Sequence, residues 1–254
     1  MAFRYDKYNV IFGNTPQLPY SVEEAVNRLR INVSFLGHDI RKIMIISSEP
    51  NEGKSFVAIN LWNQMAEAGE KVVLLDADMR NSTMVAKYGL KREDGKDLKG
   101  TSHFLAGSAA LNEVLLHTEY GYGDLIPNVE NIINPSMLLE TQEFSDLLDN
   151  LTKWYRYVFI DAPPLGLVSD GERTGNLCDG AILCVRSGET PKSVVKESVS
   201  QLERAGCPLL GIVLNRVGES KSGYYKSYYG RRYGGRYGKY YSDYYGGNAG
   251  KGGK

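Results

Sequence analysis

The stretch from Ile43 to Phe56, IMIISSEPNEGKSF, constrains this chain more than any other. Ile43-Met44-Ile45-Ile46 is an unbroken apolar run with the length and character of a strand buried on both faces, as strands of parallel sheets are. It gives way to a polar turn containing Pro50 and Gly53, after which Lys54-Ser55 opens an amphipathic helix. A Gly-Lys-Ser triplet alone recurs by chance. Between a buried strand and a helix, it predicts a phosphate-binding loop. Backbone N–H groups at the helix start face phosphate oxygens, the lysine reaches the terminal phosphates, and the serine hydroxyl is placed for Mg²⁺.

The rest of the chain repeats the strand–helix alternation. Apolar runs at Lys71 to Leu75, Tyr157 to Ile160, Ala181 to Val185 and Leu209 to Leu214 predict further strands. Helices are expected over Phe56 to Ala68 (ended by Gly69), from Asn134-Pro135-Ser136 through Leu151, and over Pro191 to Ala205. The pattern predicts an α/β fold of the P-loop NTPase type, a mostly parallel sheet with helices on both faces. Residues 1–19 show no periodicity and read as an irregular lead-in. Tyr20 to Leu36 carries one apolar face, with Ser21 and Glu24 spaced as a capping box, so a domain is expected over 20–218 with an N-terminal helix at 20–37. Lys91 to Gly107 is polar and loop-rich.

Two predicted strands end in carboxylates, Asp76-Ala77-Asp78 and Asp161. The carboxyl edge of an open α/β sheet is where ligands bind. Asp161 fits a Mg²⁺-holding role, whereas Asp76 and Asp78 are suited to share metal coordination and proton removal from a hydroxyl, or else to cap the next helix. Arg80 is either a phosphate-neutralising group or an ordinary surface arginine.

The formal charge of zero conceals an asymmetry. From Glu219 onward there are eight Lys or Arg against two acids, so the tail carries +6 and the remainder −6. That tail holds ten tyrosines among Gly, Ser and basic residues, a composition that cannot bury a core and predicts disorder over 219–254. Cys178, Cys184 and Cys207 are odd in number, widely spaced and set in apolar contexts, as free buried thiols in a reducing compartment are. His38, His103 and His117 form no ligand spacing. No apolar stretch is long enough to cross a bilayer and Met1-Ala-Phe-Arg starts no signal peptide, so a cytoplasmic location is expected.

The stretches SSEPNEGKS, VVLLDADMR and YVFIDAPPLGLVSDG resemble, in order and spacing, the Walker A, A′ and B motifs of the bacterial tyrosine kinases that serve capsule and exopolysaccharide export. INPSMLLET, CDGAILCVRSGET and LLGIVLNRV are similar to further stretches of that family, and the tyrosine-rich tail is its other hallmark. The resemblance implies ATP- and Mg²⁺-dependent autophosphorylation of tyrosine, in trans between subunits of a homo-oligomeric ring. Carried onto this chain, Asn51, Glu52, Gly53, Lys54, Ser55 and Phe56 bind ATP, with Arg80 and Asn215 as further contacts; Asn215 is equally an ordinary strand-end turn residue. Ser55, Asp76 and Asp161 hold the metal. Lys54, Asp76 and Asp78 are the catalytic set, with Asp76 preferred as the base. The acceptors are Tyr224, Tyr225, Tyr228, Tyr229, Tyr233, Tyr237, Tyr240, Tyr241, Tyr244 and Tyr245. A transmembrane activator of the polysaccharide co-polymerase type would hold the kinase at the inner face of the plasma membrane, and a tyrosine phosphatase would reverse the modification; no nucleic acid is expected.

Two positions depart from the family pattern. Asn51 stands where glycine is usual, and Asn is the residue besides Gly that best tolerates left-handed backbone angles. A Glu-x-x-Arg-x-x-Arg subunit-joining signature is represented by Glu24, Asn27 and Arg30. Two competing functions stand beside the kinase. A switch-type P-loop ATPase would carry a second lysine early in the loop, where this chain has Glu49. A nucleotide-regulated scaffold would use the basic aromatic tail to bind single-stranded nucleic acid or sugars.

Overall fold

The computed structural model describes residues 9–167 and 169–217. In chain order the elements are β1 (Val10–Phe12), α1 (Tyr20–Ser34), β2 (Lys42–Ser47), α2 (Lys54–Glu67), β3 (Val72–Asp76), α3 (Met84–Tyr88), β4 (Leu90–Arg92), α4 (Thr101–Leu105) and α5 (Leu111–Val114). They continue with β5 (Leu116–His117), β6 (Gly123–Ile126), α6 (Ser136–Leu139), α7 (Gln142–Trp154), β7 (Tyr157–Asp161), α8 (Asp170–Gly175), β8 (Gly180–Arg186), α9 (Lys192–Arg204) and β9 (Leu209–Asn215).

Seven strands form one sheet in the order β5-β6-β3-β7-β2-β8-β9, parallel except where β5 pairs with β6. The unbroken apolar runs follow from this architecture, because both faces of each central strand are covered. Alternate side chains divide between two cores. Met44, Ile46, Leu75 and Ile160 meet Phe144, Leu147, Leu148 and Leu151 of α7. Ile43, Ile45, Leu74 and Phe159 meet Val57, Leu61, Trp62 and Met65 of α2 on the opposite face. Register places Asp76 of β3 beside Asp161 of β7, and Ile45 of β2 on the other side of Asp161. The loop after β2 and both acidic strand ends therefore share one edge.

Several local expectations change. Val10–Phe12 in the lead-in pairs antiparallel with Leu90–Arg92, and the Phe12 ring stacks on Trp62 at 6.0 Å between centroids. Helix α1 starts at Tyr20, where Val22 and Glu23 donate their N–H groups to the Pro19 carbonyl, so Ser21 lies inside the helix and is no cap. It stops at Ser34, before Gly37 adopts a left-handed φ of 93°. The helix expected from Ser136 through Leu151 is broken in two: Thr141 is extended and caps α7, while its hydroxyl donates to Leu138 O at 2.7 Å. Strands β5 and β6 come from a stretch with no clear sequence signal. At the subunit-joining register, Arg30 donates from Nε and Nη2 to Asn27 Oδ1 at 3.0 and 2.9 Å, inside its own helix. Among the described residues, no helix is long and apolar enough to cross a membrane. The three cysteines are free and buried. The tyrosine-rich tail lies outside the described residues.

Candidate active site

Two left-handed residues shape the loop between β2 and α2: Asn51 at φ 62° and Gly53 at φ 94°. Asn accepts that conformation because its short polar side chain offsets part of the steric cost. At Gly53 space adds a second restriction, since a Cβ there would overlap the side-chain amide of Asn215. Two residues expected at the nucleotide turn out to have their side chains committed to the loop itself. The buried Glu52 carboxylate accepts from Glu49 N at 2.8 Å, from Arg186 N at 3.2 Å and from the Thr190 hydroxyl. Asn215 donates from Nδ2 to Glu52 O at 2.8 Å, while its Oδ1 accepts from Arg216 N at 2.9 Å. Loop, β8–α9 turn and the end of β9 are thus one hydrogen-bonded unit.

Lys54, the first residue of α2, sits at the centre of the carboxylates. Its Nζ lies 2.8 Å from Asp78 Oδ2, 3.3 Å from Asp161 Oδ1 and 3.3 Å from Ser55 Oγ. Burial, the largest single influence, works to lower the Lys54 pKa, but the charges of Asp161, Asp78 and Asp76 outweigh it and the net direction is upward. Asp76 is 1 % exposed. Its Oδ1 accepts from Asp78 N at 3.1 Å and its Oδ2 from the Ser82 hydroxyl. Burial, with the Asp161 charge beside it, pushes the Asp76 carboxyl up to about 8. Burial also raises Asp161, against the pull of Lys54 and a hydrogen bond from Ser55. Three buried carboxylates around one ammonium leave an excess of negative charge.

A cleft of about 200 Å³ opens onto this cluster. Asn51, Gly53, Lys54, Ser55, Phe56, Asp78 and Arg80 all line it; Asp76 does not. Of the A′ carboxylates, then, Asp78 is the one facing the space a substrate would enter. The Arg80 guanidinium is held in place, with Nε 2.5 Å and Nη2 3.3 Å from the Asp170 carboxylate, Nη2 3.0 Å from Ser136 Oγ and Nη1 3.1 Å from Ile133 O. Neither Asp170 nor Ser136 was singled out from sequence. Their signal lay inside YVFIDAPPLGLVSDG and INPSMLLET, but nothing in those stretches shows that they meet Arg80. Thr83, Lys87, Leu167 and Arg216 also line the cleft without any forewarning.

A mostly parallel sheet, a phosphate-type loop and acidic strand ends at one edge define a P-loop nucleotide-binding protein whose first acidic strand, β3, leads into two carboxylates. Residues 40–171 match the family described as AAA domain. The tyrosine-protein kinase CpsD of Streptococcus agalactiae serotype III is 34% identical over 202 residues, covering 80% of this chain and 85% of that relative. The tyrosine-protein kinase etk of Escherichia coli K12 is 32% identical over 224 residues, which are 87% of this chain and 30% of that longer relative. The solved kinase domain of the E. coli tyrosine kinase ETK superimposes with a TM-score of 0.70 at 29% identity, covering 82% of this chain and 86% of that one. The chain belongs to the bacterial tyrosine kinases of capsule and exopolysaccharide systems, and is an enzyme of phosphoryl transfer to tyrosine.

Proposed function

We propose that the chain transfers the terminal phosphoryl group of ATP to tyrosines of its own C-terminal cluster, Tyr224 to Tyr245, in trans between subunits. The observation that carries this reading is the Lys54 ammonium between Asp78 and Asp161, next to Ser55, at the floor of an open cleft. Lys54 binds the terminal phosphates as a fixed point charge, and the loop N–H groups from Asn51 to Ser55 hold the rest of the chain of phosphates. The excess charge of Asp76, Asp78 and Asp161, together with the raised Asp76 pKa, suits a divalent cation. Ser55, Asp161 and Asp76 would hold Mg²⁺, which when bound neutralises charge developing on the phosphates.

Asp78 rather than Asp76 fits the role of base in this reading. It lines the cleft, whereas Asp76 is buried behind it and held by Ser82. Asp78 accepts the tyrosine hydroxyl proton as the oxygen–phosphorus bond forms and the bond to ADP breaks. The same reading places the kinase at the inner face of the plasma membrane through a transmembrane activator, in a ring of subunits, with a tyrosine phosphatase resetting the tail. Support for the ring is weakest at Asn27, which ties Arg30 down within α1.

The test is intact mass of the full chain after incubation with ATP and Mg²⁺, repeated with Lys54→Met and with the activator's cytoplasmic segment present. Serial gains of phosphate in the wild type alone support the reading. ATP hydrolysis with no gain in mass would favour a switch-type ATPase.

A further inference from the structure

Three large aliphatic side chains are left exposed around Arg80: Leu167 is 64 % exposed, Met137 72 % and Ile133 97 %. Single exposed apolar residues are ordinary, but several gathered beside a cleft mark a binding surface. Arg80 does the gathering. Its Nη1 donates to the Ile133 carbonyl, its Nη2 to the hydroxyl of Ser136, next to Met137, and its Nε to Asp170, three residues past Leu167. The Leu167 loop is fastened on its other side as well. Leu165 N donates to Ser47 O and Gly166 N to Ser48 O, both at 3.0 Å, and the Leu165 side chain is packed in the core. The approach is close enough that a Cβ at Gly166 would come within 2.8 Å of Ser48 O. Leu167 is thus presented by an anchored loop, and it lines the same cleft as Asp78, together with Pro163 and Pro164.

In-line transfer brings the attacking oxygen in on the far side of the terminal phosphate from ADP. Lys54 marks the place of that phosphate, so the acceptor hydroxyl enters beside Asp78, and the group that carries it lies against whatever lines the cleft there. The apolar lining on that side is Leu167, Pro163 and Pro164. We propose that Leu167, backed by Pro163 and Pro164 and flanked by Ile133 and Met137, is the acceptor-ring site: it takes the phenol ring of a tail tyrosine and aims the hydroxyl at Asp78. The occupant is the segment 224–245 of a second copy of this chain. Its tyrosines supply the rings, and its Lys and Arg suit the acidic remainder of the chain. Arg216, next to the end of the described residues, itself lines the cleft, and Tyr245 lies about 100 Å of fully extended chain beyond it, enough to reach a neighbour. The inference rests on the tail being the substrate. An aliphatic wall of this kind selects tyrosine over serine, whose side chain neither fills the site nor reaches Asp78.

The experiment follows the fluorescence anisotropy of a labelled peptide copying residues 223–246, added to the full chain with ADP and Mg²⁺, which permit binding without transfer. Two further peptides carry Phe or Ser in place of all ten tyrosines. Leu167→Ala is expected to weaken the Tyr and Phe peptides about fivefold, the loss of part of a leucine side chain's apolar contact, and Leu167→Met to restore most of it. The Ser peptide is expected to bind wild type and Leu167→Ala equally. In phosphorylation assays read by mass, the loss falls on KM for the Tyr peptide and not on KM for ATP. Equal losses for all three peptides, or no loss for any, would overturn the ring site. So would a loss of ADP affinity in place of peptide affinity, which would make Leu167 part of the nucleoside site. A wild-type chain that adds no phosphate to the Tyr peptide would overturn the tail as substrate, an outcome distinct from these.

Discussion

The side-chain amide of Asn215 donates to the main-chain oxygen of Glu52 at 2.8 Å, tying the last strand of the sheet to the phosphate-binding loop. The same amide occupies the space that any Cβ at Gly53 would need. Gly53→Ala is therefore penalised twice, by a left-handed φ of 94° and by overlap with Asn215. Its expected effect is a loss of about 2 kcal/mol in stability with ADP binding reduced at least tenfold. Asn215→Ala removes the tether and the acceptor for Arg216 N without straining the loop backbone, and is expected to cost about 1 kcal/mol with a severalfold loss of ADP affinity. Chemical denaturation alongside ADP titration separates the two.

The Glu52 carboxylate accepts three hydrogen bonds while 2 % exposed. Glu52→Ala leaves those donors unsatisfied, at an expected cost of about 3 kcal/mol, whereas Glu52→Gln keeps the shape and part of the bonding and costs about half as much. Urea midpoints measured without nucleotide check the ranking. Equal stabilities would show that the clamp contributes nothing.

Arg80 and Asp170 form a two-pronged ion pair whose carboxylate is fully buried. A double-mutant cycle with Arg80→Ala and Asp170→Ala is expected to give a coupling of about 2 kcal/mol, because each single change strands a charge that the double change removes. Additive effects would contradict the pairing.

Lys54 offsets three carboxylates that are otherwise buried together. In the metal-free protein, Lys54→Met is expected to destabilise the fold by about 3 kcal/mol as well as abolish phosphoryl transfer. Mg²⁺ should recover part of that stability without recovering transfer, which melting curves with and without a chelator would show.

The tail carries +6 and the rest of the chain −6. Each phosphate adds about −1.5 to −2, so roughly four reverse the tail's sign and turn attraction to the kinase surface into repulsion. Sedimentation before and after phosphatase treatment, at fixed ionic strength, is expected to show larger assemblies for the dephosphorylated chain. Identical assembly would contradict this mechanism.

Much of this was legible from the chain because the central strands are buried on both faces and so are continuous apolar runs; β2, β3, β7 and β8 each fall on one, and the edge strand β9 keeps an apolar run although Ile212 and Leu214 are exposed there. What periodicity missed lies at the margins. β5 and β6 are short and follow no run, and α7 starts late because Thr141 is extended at a point where the apolar spacing barely changes. At the site, Lys54, Asp78 and Asp161 are strand-end and loop-end residues whose place follows from topology. Glu52 and Asn215 are also motif positions, but sequence does not reveal which way a side chain turns, and both turn inward to hold the loop. Lys87 and Arg216 come from a short helix and a strand exit, and Asp170 from another short helix; tertiary packing alone brings the first two to the cleft and Asp170 to Arg80.

The most direct test of the kinase assignment is intact mass after incubation with ATP and Mg²⁺ for three chains: wild type, Lys54→Met, and a truncation ending at Gly218. The account predicts a ladder of phosphate additions on the wild type and none on either variant. A ladder that persists in the truncated chain would place the acceptors outside the tyrosine cluster and contradict the account.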